Sequence, residues 1–428
     1  MEGTRQSILN QVTAWVANRQ GENDAPQMNI YWVYGSPGIG KTSLAHSICA
    51  RLDDQNHLSG AFFCRRDDPD LSIPRNILPT LIHKLAGVFP PFRSIVASCL
   101  RKNPNLTSKS MKPSLFLDFL CKLPRHPKHS LAFVIDALDE CGDRQSRPAL
   151  LQVLTDAAQH APWLKIIITS RHEVDIQRFF DVSTRYDLGT DQEAKHDLRA
   201  FTRSRFDLLA TSLYLPTPWP EESLFNKVIS HANGLFIFIK TVVLALEKCE
   251  DPEGSLRAAL QGTAGTGLES LYGLYSSILR ARVVHSFPDF QKLVGVLLIT
   301  APYRPLCEET VAKLARVKLN VVKKWVDDLS PLLYRDEGAN GGIRVRHLSI
   351  YDFFISDYYD HQIDLQNAHA QLGIVCLETM VEQLNSISAS SKIRGSLMQT
   401  FKTSQTESKR TFPTLCSIVL SIGQIISP

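Results

Sequence analysis

The sequence lacks the cysteine pattern of a metal site or of a disulfide-stapled fold. Its nine cysteines are scattered along the chain, no two of them form a Cys-x-x-Cys pair, and their number is odd. Closely spaced pairs are typical of zinc sites, and small secreted folds typically contain an even number of cysteines. We therefore expect reduced, mostly buried thiols and a cytoplasmic protein.

Charge of one sign and long apolar runs are equally scarce. The formal net charge is only +4 over 428 residues, which does not favour the concentrated basic face of a nucleic-acid-binding protein. The apolar stretches 293–300 and 412–426 are shorter than the roughly 20 residues that span a bilayer, and residues 1–5 do not begin a signal peptide. We expect no nucleic-acid partner and no membrane association, with a membrane anchor in the tail as the less favoured alternative.

The remaining composition is that of an ordinary globular chain, in which 44% of the residues are hydrophobic and 21% are charged. Up to residue 190, apolar stretches with strand character alternate with helical patterns. The predicted strands are 29–34, 60–64, 131–135, 165–169 and 184–189. Alternation of this kind predicts an α/β fold with a parallel sheet wrapped by helices.

After residue 190 the apolar spacing indicates helices without long strands. Helices are predicted at 192–209 and, as a pair, within 223–250, and three more helices followed by a hairpin are predicted within 270–360. Three helices with a two-stranded hairpin predict a winged-helix domain, and one further helix is predicted at 372–384. The predicted domains are an α/β domain at 1–190, a helical domain at 191–266, the winged helix at 267–360, and a helical or poorly ordered tail at 361–428.

A complete glycine-rich phosphate loop follows the first predicted strand, in the pattern G-x-x-x-x-G-K-T, and a helical pattern follows the loop. Its glycines allow backbone N–H groups to face one concavity, and the helix N-terminus adds about half a positive charge. Lys41 is expected to reach the β- and γ-phosphates of a nucleotide, and the Thr42 hydroxyl to bind Mg²⁺. The predicted nucleotide-binding residues are Gly35, Ser36, Pro37, Gly38, Ile39, Gly40, Lys41, Thr42 and Ser43.

Acidic residues follow the predicted strand 131–135, where a phosphate-loop protein needs carboxylates. Asp136 ends the strand, so its carboxylate emerges at the sheet edge where ligands bind, and we assign it to Mg²⁺ through a bound water. Asp139 and Glu140 follow, and either of them could polarise the water that attacks the γ-phosphate. The alternative is that this acidic cluster only caps the next helix.

Two basic residues elsewhere are candidates for reading the phosphates. Arg171 follows a buried strand and can reach the γ-phosphate, pair with Asp136, or lie exposed at the surface. His347 precedes Ser349 and Asp352, which form a helix-start pattern, and a histidine at a helix N-terminus can donate to a phosphate oxygen. Taken alone, His347 is more simply explained as a packed core histidine.

Together these motifs resemble the NACHT family of STAND NTPases, the core of NOD-like receptors in innate immunity, and most closely its nephrocystin-like fungal members. The resemblance covers residues 3–360. It rests on segments 3–5, 34–42, 134–141, 168–171, 232–237 and 347–354. The Asp-x-x-Asp-Glu form of the acidic motif and the late His-Leu-Ser-x-x-Asp-Phe motif are much more specific than the phosphate loop.

The resemblance implies a mechanism and its cofactors. Members of the family bind ATP or ADP with Mg²⁺, hydrolyse ATP slowly, and close a winged helix over ADP. By this resemblance His347 is the winged-helix histidine that contacts the β-phosphate of ADP, and Arg171 is the sensor arginine. Exchange of ADP for ATP opens such proteins, which then form homo-oligomers or assemble with effector and sensor proteins. Phe236 stands where many relatives have a proline that packs against the adenine.

The sequence leaves other functions open. A ring-forming ATPase that remodels its partners is compatible with Asp139 and Arg171, and a winged-helix nucleic-acid binder with a structural phosphate loop would use Arg344 and Arg346. A small-molecule kinase is a lesser alternative. Relatives usually carry an effector domain before the nucleotide-binding domain and repeats after the winged helix, so we expect either a bare switch module or a piece of a longer protein.

Overall fold

The computed structural model describes residues 4–18, 28–107, 110–123, 126–181, 183–191, 193–261, 265–283, 287–300, 305–336, 341–360 and 362–397. The chain divides into two compact units. The first comprises Met1–Ser277 and His347–Ser349, and the second comprises Ile278–Arg346 and Ile350–Pro428. Three parts of the predictions lie outside the described residues. They are Gly3 of the first motif, residue 192 at the start of the helix predicted at 192–209, and the predicted tail beyond residue 397.

The first unit begins with an α/β domain. Its elements are α1 (Gln6–Ala17), β1 (Met28–Tyr34), α2 (Lys41–Asp54), β2 (Leu58–Phe63), α3 (Ile77–Val88), α4 (Pro90–Lys102), α5 (Ser114–Cys121), β3 (Leu131–Asp136), α6 (Pro148–His160), β4 (Leu164–Ser170), α7 (Val174–Phe180) and β5 (Ser183–Asp187). Two short 3-10 turns, Pro74–Asn76 and Leu138–Glu140, complete it in the described ranges, and the second of them follows β3 closely.

The five strands form one parallel sheet in the order β2-β3-β4-β1-β5. Ile168 of β4 is aligned with Trp32 of β1 on one side and with Ile135 of β3 on the other, so β4 lies between these two strands. Every residue of β3 and β4 is buried, as expected for strands that helices cover on both faces. The predicted parallel sheet wrapped by helices is therefore confirmed.

The strand ends differ slightly from the predicted ones. The fifth strand ends at Asp187 rather than at residue 189, because the Asp187 carboxylate accepts the Gly189 N–H and turns the chain. The second strand already begins at Leu58, and its register against β3 shifts between Leu58 and Gly60. Such irregularities depend on hydrogen bonds to neighbouring atoms, which apolar spacing does not report.

An aromatic core holds β3 in the sheet. Phe133 of β3 is fully buried, and its ring centroid lies 6.1 Å from that of Phe116 in α5. Phe116 in turn lies 6.4 Å from Phe92 of α4, with the two rings edge to face. Burial of one such side chain contributes about 1.5–3 kcal/mol, so this packing fixes the strand that ends in Asp136.

Helices make up the remainder of the first unit up to Ser277. They are α8 (Glu193–Ser212), α9 (Glu222–Ala232), α10 (Phe236–Leu246), α11 (Pro252–Gln261) and the first part of α12 (Leu268–Arg282). The pair of helices predicted within 223–250 is confirmed as α9 and α10. Asn233 and Gly234 separate them, because both residues have positive φ and cannot continue a right-handed helix.

The second unit consists of helices and one hairpin in the part of the chain that the structure describes. Its elements after α12 are α13 (Phe287–Thr300), α14 (Glu308–Ala315), α15 (Leu319–Asp328), β6 (Leu333–Arg335), β7 (Ile343–Val345), α16 (Ser349–Phe354, whose first residue belongs to the first unit) and α17 (Leu365–Leu397). The hairpin is antiparallel, with Leu333 opposite Val345. No helix in the described ranges is long and apolar enough to cross a membrane.

The prediction of three helices between residue 270 and the hairpin is wrong, because four are present in the described ranges. Arg316, in the left-handed conformation at φ 55°, ends α14 and separates it from α15. A left-handed residue that is not glycine leaves no signal in the apolar spacing, so the two short helices resemble one. The helix predicted at 372–384 lies within the longer α17.

We expect Phe133→Ala to lower the free energy of unfolding by about 3–5 kcal/mol, because it leaves a cavity in a close-packed core. Urea unfolding followed by tryptophan fluorescence measures this, since Trp32 and Trp163 belong to the same core. Leu208→Ala is the control, because Leu208 is 61% exposed on α8. A loss no larger than that of the control would contradict the packing described for β3.

Candidate functional site

The phosphate loop, residues 35–40, connects the end of β1 to the first turn of α2. Gly38 and Gly40 have φ values of 79° and 101°, a region that glycine adopts readily and that turns successive N–H groups toward one side. Thr42 and Ser43 are the second and third residues of α2, where backbone N–H groups have no intrahelical acceptor. In the loop, Ser36 is exposed, Gly35 and Ile39 are buried, and Pro37 is half-buried. The arrangement can bind phosphate oxygens through backbone N–H groups.

Lys41 begins α2, and its ammonium group lies back over the loop. Nζ donates to the carbonyl oxygens of Gly35 at 2.7 Å and of Ser36 at 3.0 Å. Burial lowers the pKa of Lys41, and the nearby carboxylates, led by Asp139, act in the opposite direction. A positive charge withdrawn from water in this way interacts strongly with a phosphate placed beside it.

Asp136 ends β3 and is almost fully buried, with 1% of its surface exposed. The Thr169 hydroxyl donates to its Oδ1 atom at 2.5 Å, and the Thr42 hydroxyl lies near enough to this carboxylate to lower its pKa. Burial raises the pKa of Asp136, whereas these two hydroxyls and the Lys41 charge lower it. The two residues that the sequence suggests as metal ligands, Thr42 and Asp136, therefore lie together.

The oxygen atoms of Thr42 and Asp136 suit Mg²⁺ by their chemistry. Mg²⁺ prefers hard oxygen ligands and usually takes one or two carboxylates from the protein, with water and phosphate oxygens completing its shell. In the described part of the chain, no group of three or more His, Cys, Asp or Glu side chains could hold a metal by itself. The residues present fit a metal ion that is bound jointly with phosphate.

Arg171 follows β4 and is held by Asp139. Its backbone N–H donates to Oδ1 of Asp139 at 2.9 Å, and its Nε lies 3.1 Å from Oδ2 of the same carboxylate. Both oxygens of Asp139 are thus engaged, and Asp139 itself is only 3% exposed. The structure thus shows Arg171 as an arginine paired with Asp139, with 23% of its side chain exposed.

Glu140 closes the 3-10 turn that follows Asp136. Burial, and next the negative charge of Asp139, raise the pKa of Glu140 to about 8. Ala137 begins this turn in the left-handed conformation, at φ 53°, and its N–H donates to the Thr169 hydroxyl at 2.9 Å. Asp139 is engaged by Arg171, whereas the raised pKa of Glu140 lies in the range in which a base can act near neutral pH.

His347 belongs to the first compact unit and lies beside the phosphate loop. A Cβ atom built on Gly38 would lie 3.8 Å from Cε1 of this half-buried imidazole. Burial, and then the positive charges of Arg171, Lys41 and Lys240 in that order, lower the pKa of His347 to about 3. The ring is therefore neutral at physiological pH.

Helix α10 contributes residues that the sequence reasoning did not single out as site residues. The Ile237 N–H donates to the Gly38 carbonyl oxygen at 3.2 Å, and a Cβ atom on Gly38 would lie only 2.0 Å from Cγ2 of Ile237. Phe236 borders Gly40 at 3.8 Å from its Cβ position. Lys240 follows one turn after Phe236 and adds positive charge near His347. The segment 232–237 carries the family resemblance, so only its proximity to the loop is new information.

Arg5 is a second residue with an unpredicted role. Its Nη2 donates to the Ile39 carbonyl oxygen at 3.2 Å, and its Nη1 pairs with Asp191 at 2.7 Å. Its guanidinium group also lies 5.9 Å from the centre of the Phe236 ring, within the range of a cation–π contact. Arg5 is 7% exposed and thus joins the phosphate loop to α10 and to the segment before α8.

These features define a P-loop NTPase: a parallel sheet, a glycine loop at the end of β1, a lysine at the helix start, and a carboxylate at the end of a strand two positions away. Residues 3–171 match the family described as nephrocystin 3, N-terminal. The resemblance to nephrocystin-like NTPases is therefore confirmed over this part of the chain. None of the curated proteins compared with this chain matches it.

Three solved structures show a distant likeness to this chain. A Walker-type ATPase of Pyrococcus abyssi is 12% identical, covers 82% of this chain and 95% of its own, and has a TM-score of 0.36. CDC6P of Pyrobaculum aerophilum is 13% identical over 85% of this chain and 96% of its own, with a TM-score of 0.36. Drosophila ORC bound to DNA is 12% identical over 86% and 85%, with a TM-score of 0.36. At these values the assignment rests on the geometry above and on the family match.

We expect Gly38→Ala to destabilise the protein and to abolish binding of a fluorescent ADP analogue, because the added methyl group collides with Ile237. Gly234→Ala is the matched control, since Gly234 also has positive φ, at 88°, but has open space around its Cβ position. Both substitutions cost about 1 kcal/mol of backbone strain, and only the first adds a collision. Equal melting temperatures and equal nucleotide affinities for the two variants would contradict the contact between loop and helix.

Proposed function

We propose that this protein is a nucleotide-operated signalling switch that binds ATP and ADP with Mg²⁺ and hydrolyses ATP slowly. The observation that carries the proposal is the position of His347 beside Gly38, close to the charges of Lys41 and Arg171. A catalytic site that only turned over ATP would have no need of a phosphate contact from so late in the chain. A switch needs one, because a late segment must respond to the nucleotide.

Each residue of the loop has a role in this proposal. Backbone N–H groups within the segment 35–43, in which Pro37 has none, bind phosphate oxygens, and Lys41 exchanges its loop carbonyl partners for the β- and γ-phosphates. Thr42 and Asp136 hold Mg²⁺, which supplies charge neutralisation between the phosphates when it is bound. Phe236, next to Gly40, packs against the adenine in place of the proline of many relatives.

The two acidic residues of the turn after β3 have different roles in hydrolysis. Glu140 orients and deprotonates the attacking water, whereas Asp139 holds Arg171 in place. Arg171 follows β4, and β4 lies between β1 and β3, so Arg171 emerges between the phosphate loop and Asp136. An arginine in that position is suited to sense the γ-phosphate.

The shape change is proposed for the segment that carries His347. We assign residues 1–190 to the nucleotide-binding domain, 191–266 to a helical domain, 267–360 to a winged helix and 361–428 to a tail. The winged helix closes on ADP through His347, and exchange for ATP favours an open form that assembles with itself or with effector and sensor proteins. The two nucleotides shift the balance only through their different contacts in the two forms.

Nucleic-acid binding by the hairpin has less support. Arg344 pairs with Asp336 at 2.8 Å, and the Arg346 guanidinium lies over the Tyr334 ring at 5.4 Å and donates to the Ser330 carbonyl oxygen at 2.5 Å. Arginines engaged in this way offer less charge to a phosphate backbone. A ring-forming ATPase that remodels partners remains the second candidate, and a turnover well above about one per second would favour it.

The purified chain tests the switch. We expect it to retain mostly ADP, to keep one mass in ADP, and to form larger assemblies after exchange to an ATP analogue, as chromatography of the released nucleotide and light scattering would measure. Lys41→Ala is the control and should retain no nucleotide. His347→Ala should release ADP roughly 10–100-fold faster, because a hydrogen bond to a charged phosphate is lost. If His347→Ala changed neither ADP release nor assembly, the switch would be wrong.

We expect ATP hydrolysis to rise with pH up to about pH 8 and then to level off, since Glu140 acts as a base only when it is ionised and its pKa is raised to about 8. Well below that pH, the rate should change about tenfold per pH unit. Glu140→Gln should be slow and nearly independent of pH. Asp143→Asn, which alters an exposed acid three residues later, should keep the wild-type profile. An unchanged slope in Glu140→Gln would assign the base to another group.

A further inference from the structure

A chain of three hydrogen-bonded side chains ends at His347. The Tyr275 hydroxyl lies 2.9 Å from the Ser349 hydroxyl, and that hydroxyl lies 2.7 Å from Nδ1 of His347. Tyr275 on α12 and Ser349 are both fully buried, with no exposed surface. All three residues belong to the first compact unit.

The donor direction along this chain follows from one backbone contact. The Ser349 N–H donates to Nδ1 of His347 at 3.1 Å, so Nδ1 must carry a lone pair and not a hydrogen atom. The Ser349 hydroxyl therefore also donates to Nδ1, because an acceptor cannot donate to it in return. Its oxygen is then left to accept, and the Tyr275 hydroxyl is the donor.

The direction of these hydrogen bonds also determines which atom of the imidazole ring carries the hydrogen. A neutral histidine whose Nδ1 accepts must carry its hydrogen atom on Nε2. Nε2 is bonded to Cε1, the ring atom that lies beside Gly38 of the phosphate loop. The ring therefore has a hydrogen-bond donor on its second nitrogen, close to the positions where phosphate oxygens are expected.

We infer that Tyr275 and Ser349 are positioning residues for a nucleoside diphosphate, because they lock His347 in the Nε2–H tautomer and in one ring orientation. The inference rests on the proposed role of His347 toward ADP and extends it to α12, far from the loop in sequence. Without the Ser349 hydroxyl the ring loses one of its two Nδ1 partners. Without the Tyr275 hydroxyl the Ser349 hydroxyl loses the donor that orients it.

The charges around the ring make orientation more important than it would be for a charged histidine. Burial, and then the positive charges of Arg171, Lys41 and Lys240, disfavour a protonated imidazole at this position. A neutral N–H attracts a phosphate only along its bond direction, whereas a cation attracts it from any side. Loss of the lock should therefore weaken ADP binding even though the histidine remains.

Tyr275→Phe tests the inference, with Tyr272→Phe as the matched control on the same helix. Tyr272 is also largely buried, with 9% of its surface exposed, and its ring lies 6.3 Å from that of Tyr275. We expect Tyr275→Phe to release a fluorescent ADP analogue roughly three- to tenfold faster than the wild type. The control should release it at the wild-type rate. Equal release from the two variants, or faster release from the control alone, would overturn the inference.

Ser349→Ala is the second variant, and it keeps the backbone N–H while removing the hydroxyl. Nitrogen chemical shifts of the His347 ring, assigned by difference from His347→Gln in nucleotide-free protein, report the tautomer directly. We expect a pure Nε2–H form in the wild type and in Tyr272→Phe, and a mixture of tautomers in Ser349→Ala. A pure Nε2–H form in Ser349→Ala would overturn the lock, as would an Nδ1–H form in the wild type.

The two readouts separate this inference from the proposed function. If His347→Gln released ADP at the wild-type rate, the switch proposal would fail, yet the ring shifts would still show whether the lock exists. If His347→Gln accelerated release while Tyr275→Phe and Ser349→Ala did not, the proposed function would stand and the positioning role would fall. Rescue of fast release in Ser349→Ala by Ser349→Thr, which restores a hydroxyl, would support the positioning role.

Discussion

The close approach of helix α10 to the phosphate loop at Gly38 is the contact on which the whole site depends. The Gly38 carbonyl accepts the Ile237 N–H, and the Ile237 side chain occupies the space that a side chain at position 38 would need. The same glycine borders the ring of His347. Close-packed interiors transmit small displacements, so a ligand that moves this one backbone position affects both the helical segment and the histidine.

Two kinds of electrostatic contact are present at the site. The acidic residues are paired or hydrogen-bonded, and the charges that act on His347 are positive. The Thr169 hydroxyl donates to the buried carboxylate of Asp136, and Arg171 holds both oxygens of Asp139. Burial, and then the positive charges near the ring, keep His347 neutral. Recognition of a phosphate would then combine two interactions. The Coulomb attraction of Lys41 does not depend on direction, whereas the hydrogen bond from the imidazole N–H requires alignment along the N–H bond. This combination ties binding to the orientation of one ring.

Local patterns were sufficient to predict the phosphate loop, the fully buried strands β3 and β4, and the carboxylate at the end of β3. Glycine spacing and all-apolar strands leave clear signals because they depend on neighbouring residues in sequence. The prediction failed at Arg316, where a left-handed residue divides one apparent helix in two. The sequence also could not distinguish Asp139 from Glu140 as the candidate base. In the structure Asp139 is paired with Arg171, whereas burial raises the pKa of Glu140, and both properties depend on residues that are distant in sequence.

The sequence by itself determined that this chain has a phosphate loop, a parallel sheet and acidic residues at a strand end. Only the tertiary structure decided the strand order that puts Arg171 between the loop and Asp136, and the contact of Ile237 with Gly38. It also decided that His347, more than 300 residues after the loop, lies beside it. The physical reason is that hydrogen-bonded elements form over a few residues, whereas the neighbours of a buried group come from distant parts of the chain.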